Sequence, residues 1–234
     1  MGRTIDDWQD RTQTLLGDPK PTPAPESIQD HVLAAIRRFS ADIPRITYAD
    51  YPGDGVTFDL NLPTGWVPGF SRVVELEYPQ GQRPAEYLDL QEVSLYPRDS
   101  APTKIRLRDT TPATGSTTRV YYAIPWPIPT DDPSIDKISD LDFEPVAHLA
   151  AAYAALELSG DAAGHTRSSI PGANIAGDTS EYDRWIREHE RHLELYFGHV
   201  GSVEGGALAD GIIDWDARST FVETRGRFLF RGRR

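Results

Sequence analysis

The residues best suited to metal chemistry are histidines near the end of a predicted helix. His189 and His192 lie three residues apart, so both could reach one ion, and Glu190 and His199 are close in sequence. The zinc-protease motif, however, places two residues between its glutamate and its second histidine, and only Arg191 intervenes here. We therefore expect packed or solvated histidines and no metal, with a metal-dependent hydrolase as a distant alternative.

Two acidic pairs could in principle supply carboxylates for acid–base chemistry. Asp131 and Asp132 are adjacent in a proline-rich segment, and Asp214 and Asp216 flank Trp215. Nothing in the sequence places two of these carboxylates across a cleft, as a glycosidase needs. The sequence also lacks a nucleophile elbow, a phosphate loop and a dinucleotide fingerprint. We expect no enzymatic activity, no catalytic residue and no cofactor.

The C-terminal segment, residues 205–234, reverses the charge of the protein. The chain has 24 basic and 36 acidic residues and a net charge of −12, whereas residues 217–234 contain six arginines, three phenylalanines and one acid. Behind a predicted hinge at Gly205-Gly206, this composition indicates an extended arm that binds a partner. Strand addition to a protein, nucleic-acid binding and a solvating tail are the three interpretations. The candidate contact residues are Arg218, Phe221, Arg225, Arg227, Phe228, Phe230 and Arg231.

The composition excludes several classes of site and of partner. The absence of cysteine excludes disulfides, cysteine-ligated zinc and a cysteine nucleophile. No signal peptide and no apolar run of about 20 residues is present, so we expect a soluble protein made in the cytoplasm, with no membrane partner. A strongly acidic body would repel nucleic acid rather than bind its phosphates.

Helical periodicity defines the predicted core of the protein. A short amphipathic helix and a proline-rich linker fill residues 1–25, and the body spans 26–204. Within the body, apolar spacing predicts helices at about 27–40, 140–159 and 178–198. Ser27 and Asp30 are predicted to cap the first of these, and Ile43-Pro44 to end it. On the last helix Arg184, Arg187 and Arg191 are predicted to face outward.

Between the first two body helices, apolar residues alternate with polar residues, a period of two that is typical of strands. Residues Val56, Phe58, Leu60 and Leu62 alternate with polar residues, and shorter alternations follow at 72–78, 92–96, 104–108 and 119–124. These predict an inserted antiparallel β module at about 46–125. The fold class is therefore predicted as α+β, a helical bundle core with an inserted antiparallel β module and an extended C-terminal arm. Trp66 and Trp126 are interpreted as core residues, with a sugar- or peptide-binding platform as the alternative.

Five segments of this sequence share their hydrophobic pattern with a known family. They are SIQDHVLAAIRRFSADIPR (27–45), SRVVELEYPQGQRPAEYL (71–88), RVYYAIPW (119–126), LAAAYAALELS (149–159) and EYDRWIREHERHLELYF (181–197). Taken in this order, they resemble head–tail connector (adaptor) proteins of long-tailed bacteriophages. The resemblance covers about 27–200 and rests on hydrophobic pattern, not on catalytic signatures.

The resemblance implies a structural virion protein of the phage neck. Such adaptors form a homo-oligomeric ring, commonly a dodecamer, that joins the portal of the DNA-filled head to the next neck or tail protein. Double-stranded DNA passes the ring without sequence-specific binding, which an acidic lumen would favour. In this setting the C-terminal arm is a candidate for portal binding, and Arg184, Arg187 and Arg191 for inter-subunit contacts. The alternative is a carbohydrate- or peptide-binding module of a phage or bacterial surface protein.

Overall fold

The computed structural model describes residues 2–17, 23–98, 101–165 and 175–209. Four α-helices and six strands form this part of the chain, so the predicted α+β class with a helical core is confirmed. The helices are α1 (Ile5–Leu16), α2 (Pro25–Asp42), α3 (Asp140–His165) and α4 (Ile175–Ala209). The strands are β1 (Arg45–Pro52), β2 (Asp59–Asn61), β3 (Arg72–Glu77), β4 (Val93–Arg98), β5 (Ala101–Leu107) and β6 (Thr117–Ile124), with a 3-10 helix at Leu90–Glu92.

Helix α3 lies at the centre of the bundle, and the other three helices pack around it. Its alanines between Ala147 and Ala155 are buried, which lets neighbouring helices approach closely. Trp8 of α1 meets Phe143 edge-on with ring centroids 4.5 Å apart, and Phe39 of α2 and Tyr196 of α4 belong to the same buried cluster. None of the described helices is long and apolar enough to cross a membrane.

The predicted capping role of Ser27 is wrong. Helix α2 begins two residues earlier, at Pro25, and its cap residue Ala24 makes no side-chain hydrogen bond. Proline suits the first helical position because its fixed φ matches the helix and its missing N–H would have no partner there. The Ser27 hydroxyl instead donates to Glu157 Oε2 of α3 over 2.6 Å, so it joins two helices. The predicted end of this helix before Pro44 is correct.

The inserted β module consists of two three-stranded antiparallel sheets. Their strand orders are β1-β6-β3 and β2-β5-β4. Apolar side chains from both sheets form one buried cluster between them. Trp66 packs against this cluster, with its ring 6.0 Å from that of Tyr122, and so acts as a core residue.

The first predicted strand of the module is largely wrong. Strand β2 is confined to Asp59–Asn61, and Val56 is 78% exposed. The Asp54 carboxylate accepts the N–H groups of Val56 and Thr57, and Gly55 has a φ of 78°, so a turn occupies the start of the predicted strand. The additional strand β1 directly follows α2.

The β module is joined to the bundle at a single junction. Arg45 at the start of β1 pairs with Ile124 at the end of β6, so the two connections lie side by side. The Trp126 indole N–H donates to the Ile43 carbonyl over 2.7 Å, and its ring stacks on Phe39 at 6.0 Å. Trp126 therefore packs as a core residue that closes this junction.

Candidate functional site

The predicted arm lies almost entirely outside the described residues. Arg218, Phe221, Arg225, Arg227, Phe228, Phe230 and Arg231 all belong to the segment after Ala209, as do Asp214 and Asp216. Helix α4 continues to Ala209, so the Gly205-Gly206 pair lies within the helix and not at a hinge. Each glycine destabilises a helix by about 1 kcal/mol relative to alanine, so a helix can still continue through this pair.

Helix α4 carries an outward stripe of arginines, as predicted. Arg184, Arg187 and Arg191 are exposed, and their spacing of three and four residues puts them on one side of the helix. We call these three residues the arginine stripe. The Arg184 guanidinium lies 4.7 Å from the centre of the Trp185 ring, and Arg191 pairs with Glu188 at 3.3 Å. Leu195, 45% exposed, continues the stripe by one turn.

Helix α1 presents an acidic face that was not predicted from the sequence. Ile5, Trp8 and Leu16 are buried against the bundle, which turns Asp6, Asp7 and Asp10 to the surface. We call these three aspartates the acidic face. Asp7 also accepts hydrogen bonds from the N–H and hydroxyl of Thr4, which hold the pKa of its carboxyl below the usual value. In the sequence, these aspartates lie opposite the apolar positions of the amphipathic helix, and that spacing could have predicted an exposed acidic face.

The basic residues beside the acidic face are already paired with acids of the same subunit. The Arg11 guanidinium binds Glu144 of α3 through two hydrogen bonds of 2.7 and 3.0 Å. Arg3 pairs with the buried carboxylate of Asp136 at 3.3 Å and also with Asp140. These arginines fix α1 to the rest of the bundle. They leave the outer face of α1 with negative charge only.

The histidines considered for metal binding have other partners. The imidazole of His192 is buried and stacks on His148 of α3. His189 Nδ1 lies 2.8 Å from the Ala152 carbonyl oxygen, and His199 Nε2 lies 2.8 Å from Asp142 Oδ1. Across the described ranges, no group of three or more metal-ligating side chains could hold an ion. The predicted packing role therefore matches the contacts of these side chains.

The outer face of the β1-β6-β3 sheet is rich in exposed apolar side chains. Ile46 and Tyr48 of β1 are 47% and 55% exposed, and the Tyr121 ring of β6 lies 6.1 Å from Tyr48. Arg119 stacks over Tyr48 at 4.2 Å and binds the Asp50 carboxylate through two hydrogen bonds. Exposed apolar patches of this kind are typical of surfaces that contact another macromolecule.

Comparisons with known proteins find distant likeness to solved structures. No protein-family model matches the chain, and no curated protein matches it. One similar solved structure is a chain of the neck of an empty GTA particle, computed with C6 symmetry. It is 16% identical, over 79% of this chain and 89% of that chain, with a TM-score of 0.29. A TM-score of this size does not establish a shared fold.

Proposed function

We propose that the protein is a structural component of a phage-like virion neck. In this role it forms a ring that joins the portal of the DNA-filled head to the next neck or tail protein. The observation that carries the proposal is the insertion of a β module between α2 and α3 of a helical bundle. This is the architecture that the sequence resemblance to head–tail connector proteins implies.

The charge of the protein suits a DNA channel. With a net charge of −12 per copy, a ring of copies is strongly negative as a whole. DNA is retained on proteins mainly through contacts between cationic side chains and phosphates, so an acidic lumen lets it slide. In this role the protein needs neither a catalytic residue nor a cofactor. Double-stranded DNA passes through the ring without sequence-specific binding.

The direction of α4 supports portal docking by the C-terminal arm. The Tyr196 hydroxyl donates to Asp42 Oδ2 at the end of α2 over 2.8 Å, and His199 contacts Asp142 at the start of α3. The chain therefore leaves the bundle at the end where the β module is attached. From there the 25 residues after Ala209 span at most about 80–90 Å when extended. That reach is sufficient to contact a neighbouring ring.

A carbohydrate- or peptide-binding module is the second candidate function. The exposed side chains of Ile46 and Tyr48, beside the half-buried Tyr121, favour it, because aromatic surfaces suit both ligands. Trp66 and Trp126 contribute less, since both are partly buried and pack against the apolar clusters of the protein. This candidate predicts binding of sugars or peptides by the monomer, with loss on Tyr48→Ser, and no requirement for a ring.

Deleting the gene from its phage or particle-producing host tests the neck function. We expect DNA-filled heads and separate tails to accumulate, since both would be built but not joined. Supplying the protein in trans should restore joined particles. Normal particles in the deletion strain would contradict the proposal, and so would particles that are complete but fail only to bind host cells.

A further inference from the structure

We infer that neighbouring subunits meet through the arginine stripe of α4 in one copy and the acidic face of α1 in the next. This inference rests on the proposed function, because it supplies the contact that closes the ring. The sequence resemblance implies a ring but not which surfaces form it. Here the two surfaces belong to the same chain, carry opposite charge and lie on different helices.

The two surfaces have the same form, and the acidic face is the shorter of the two. Arg184 to Arg191 covers roughly 10 Å along α4, and Asp6 to Asp10 covers roughly 6 Å along α1, at a rise of 1.5 Å per residue. Both are single helical stripes, so two helices can lie side by side with the stripes facing. Leu195 at the end of the arginine stripe adds apolar surface that the contact would cover.

The positions of α1 and α4 on α3 favour a head-to-tail contact. Helix α1 packs on the side of α3 that carries Phe143 and Glu144. Helix α4 packs on the side that carries His148 and Ala152. At about 100° per residue, these sides lie roughly a third of a turn apart. Because the two outward faces point in different directions, each copy can bind one neighbour with α1 and another with α4, which generates rings.

Apart from Arg191, which pairs with Glu188, the charges of both surfaces form no ion pair among the described residues. Among the described residues, no ion pair involves Arg187, Asp6 or Asp10. Arg3 and Arg11, the basic residues next to the acidic face, are bound to acids of their own subunit. A second copy is therefore a source of the opposite charge for each surface.

Neighbouring acids on α4 argue against DNA as the partner of the arginine stripe. Asp183, Glu190 and Glu194 are exposed on the flank of the same helix. They would repel a continuous phosphate backbone, which needs a broad cationic surface. When the partner is another helix, these three acids limit the width of the cationic surface to the arginine stripe itself. A neighbouring acidic face must then align with the stripe, and like charges disfavour other alignments.

Complementary charge reversals test the contact. The first variant is Arg184→Glu with Arg187→Glu and Arg191→Glu, and the second is Asp6→Lys with Asp10→Lys. Asp7 is kept because it completes the cap of α1. Controls reverse exposed charges on α2, namely Arg37→Glu for the first variant and, matched in number of charges, Glu26→Lys with Asp30→Lys for the second. Circular dichroism verifies folding, and mass photometry measures assembly with and without the portal protein.

We expect each variant alone to be folded and monomeric, and both controls to form rings like the wild type. An equimolar mixture should regain rings in which the two variants alternate, because every contact again joins opposite charges. Rings from either variant alone, no recovery in the mixture, or recovery that stops at dimers would overturn the inference while leaving a ring-forming neck protein intact. If the wild type forms no ring, even with the portal protein, the proposed function fails as well.

Discussion

The Nδ1 atoms of His148 and His192 lie 2.8 Å apart where α3 packs against α4. Burial, followed by the proximity of His148, lowers the pKa of His192 to about 4. Burial also lowers the pKa of His148. At neutral pH both rings are therefore uncharged, and the Nδ1–H of one ring donates a hydrogen bond to the Nδ1 of the other. A charged pair at this separation would repel and would force the two helices apart.

This pair makes the stability of the bundle depend on pH. An unfolded histidine titrates near pH 6.5, so between that pH and about 4 the unfolded chain binds a proton that folded His192 does not. The free energy of unfolding therefore falls as the pH drops through this range. For His192 alone we expect a loss of about 2 kcal/mol between pH 7.5 and pH 5, since each pKa unit corresponds to about 1.4 kcal/mol. Urea denaturation at both pH values measures the loss.

His192→Gln is the control for this pH dependence. Glutamine can keep a hydrogen bond to His148 but does not titrate. The variant should be less sensitive to pH over the same range, whatever its stability at pH 7.5. An unchanged pH dependence in the variant would show that other groups carry it.

Trp126 is expected to stabilise the junction between the β module and the bundle. Trp126→Ala removes the stacking on Phe39 and the indole hydrogen bond to Ile43. Because the side chain is only partly buried, we expect a loss of about 2–3 kcal/mol, below the usual range for a fully buried tryptophan. Trp126→Phe keeps the ring contact and should lose only about 1 kcal/mol, the net value of one hydrogen bond. Equal losses of stability in Trp126→Ala and Trp126→Phe would contradict the larger contribution expected from the ring contact.

The arm is expected to act through its phenylalanines as well as its charge. Replacing Phe221, Phe228 and Phe230 with serine keeps every arginine, whereas deleting 217–234 removes both features. Burying each phenylalanine against a partner contributes roughly 1.5–3 kcal/mol, so both variants should fold yet fail to attach to DNA-filled heads. Counting tailless particles by electron microscopy measures this. If the serine variant builds normal virions and the deletion does not, aromatic docking is refuted in favour of charge alone.

The helical core could be predicted because its apolar residues follow a single period. The buried residues of α2 recur at helical spacing, and α2 and α3 both occur where the sequence predicted them. The ends were less accurate, since α3 and α4 extend beyond the predicted segments. Ser27 shows the reason. A hydroxyl near a helix start can cap it or bond across to another helix, and the sequence alone does not distinguish the two.

Strand β1 could not be recognised because its apolar residues face outward. Ile46 and Tyr48 alternate correctly, but they lie on the exposed side of the sheet. The His148–His192 contact depends on how two helices pack, and the acidic face matters only beside a neighbouring subunit. The arginine stripe, by contrast, followed from helical spacing within one segment.

Negative-stain electron microscopy of the purified protein mixed with the portal protein of its particle tests the central proposal most directly. We predict rings of cyclic symmetry seated coaxially on the portal, with an open channel along the shared axis. A protein that stays monomeric and leaves the portal bare at micromolar concentrations would contradict the assignment to the neck.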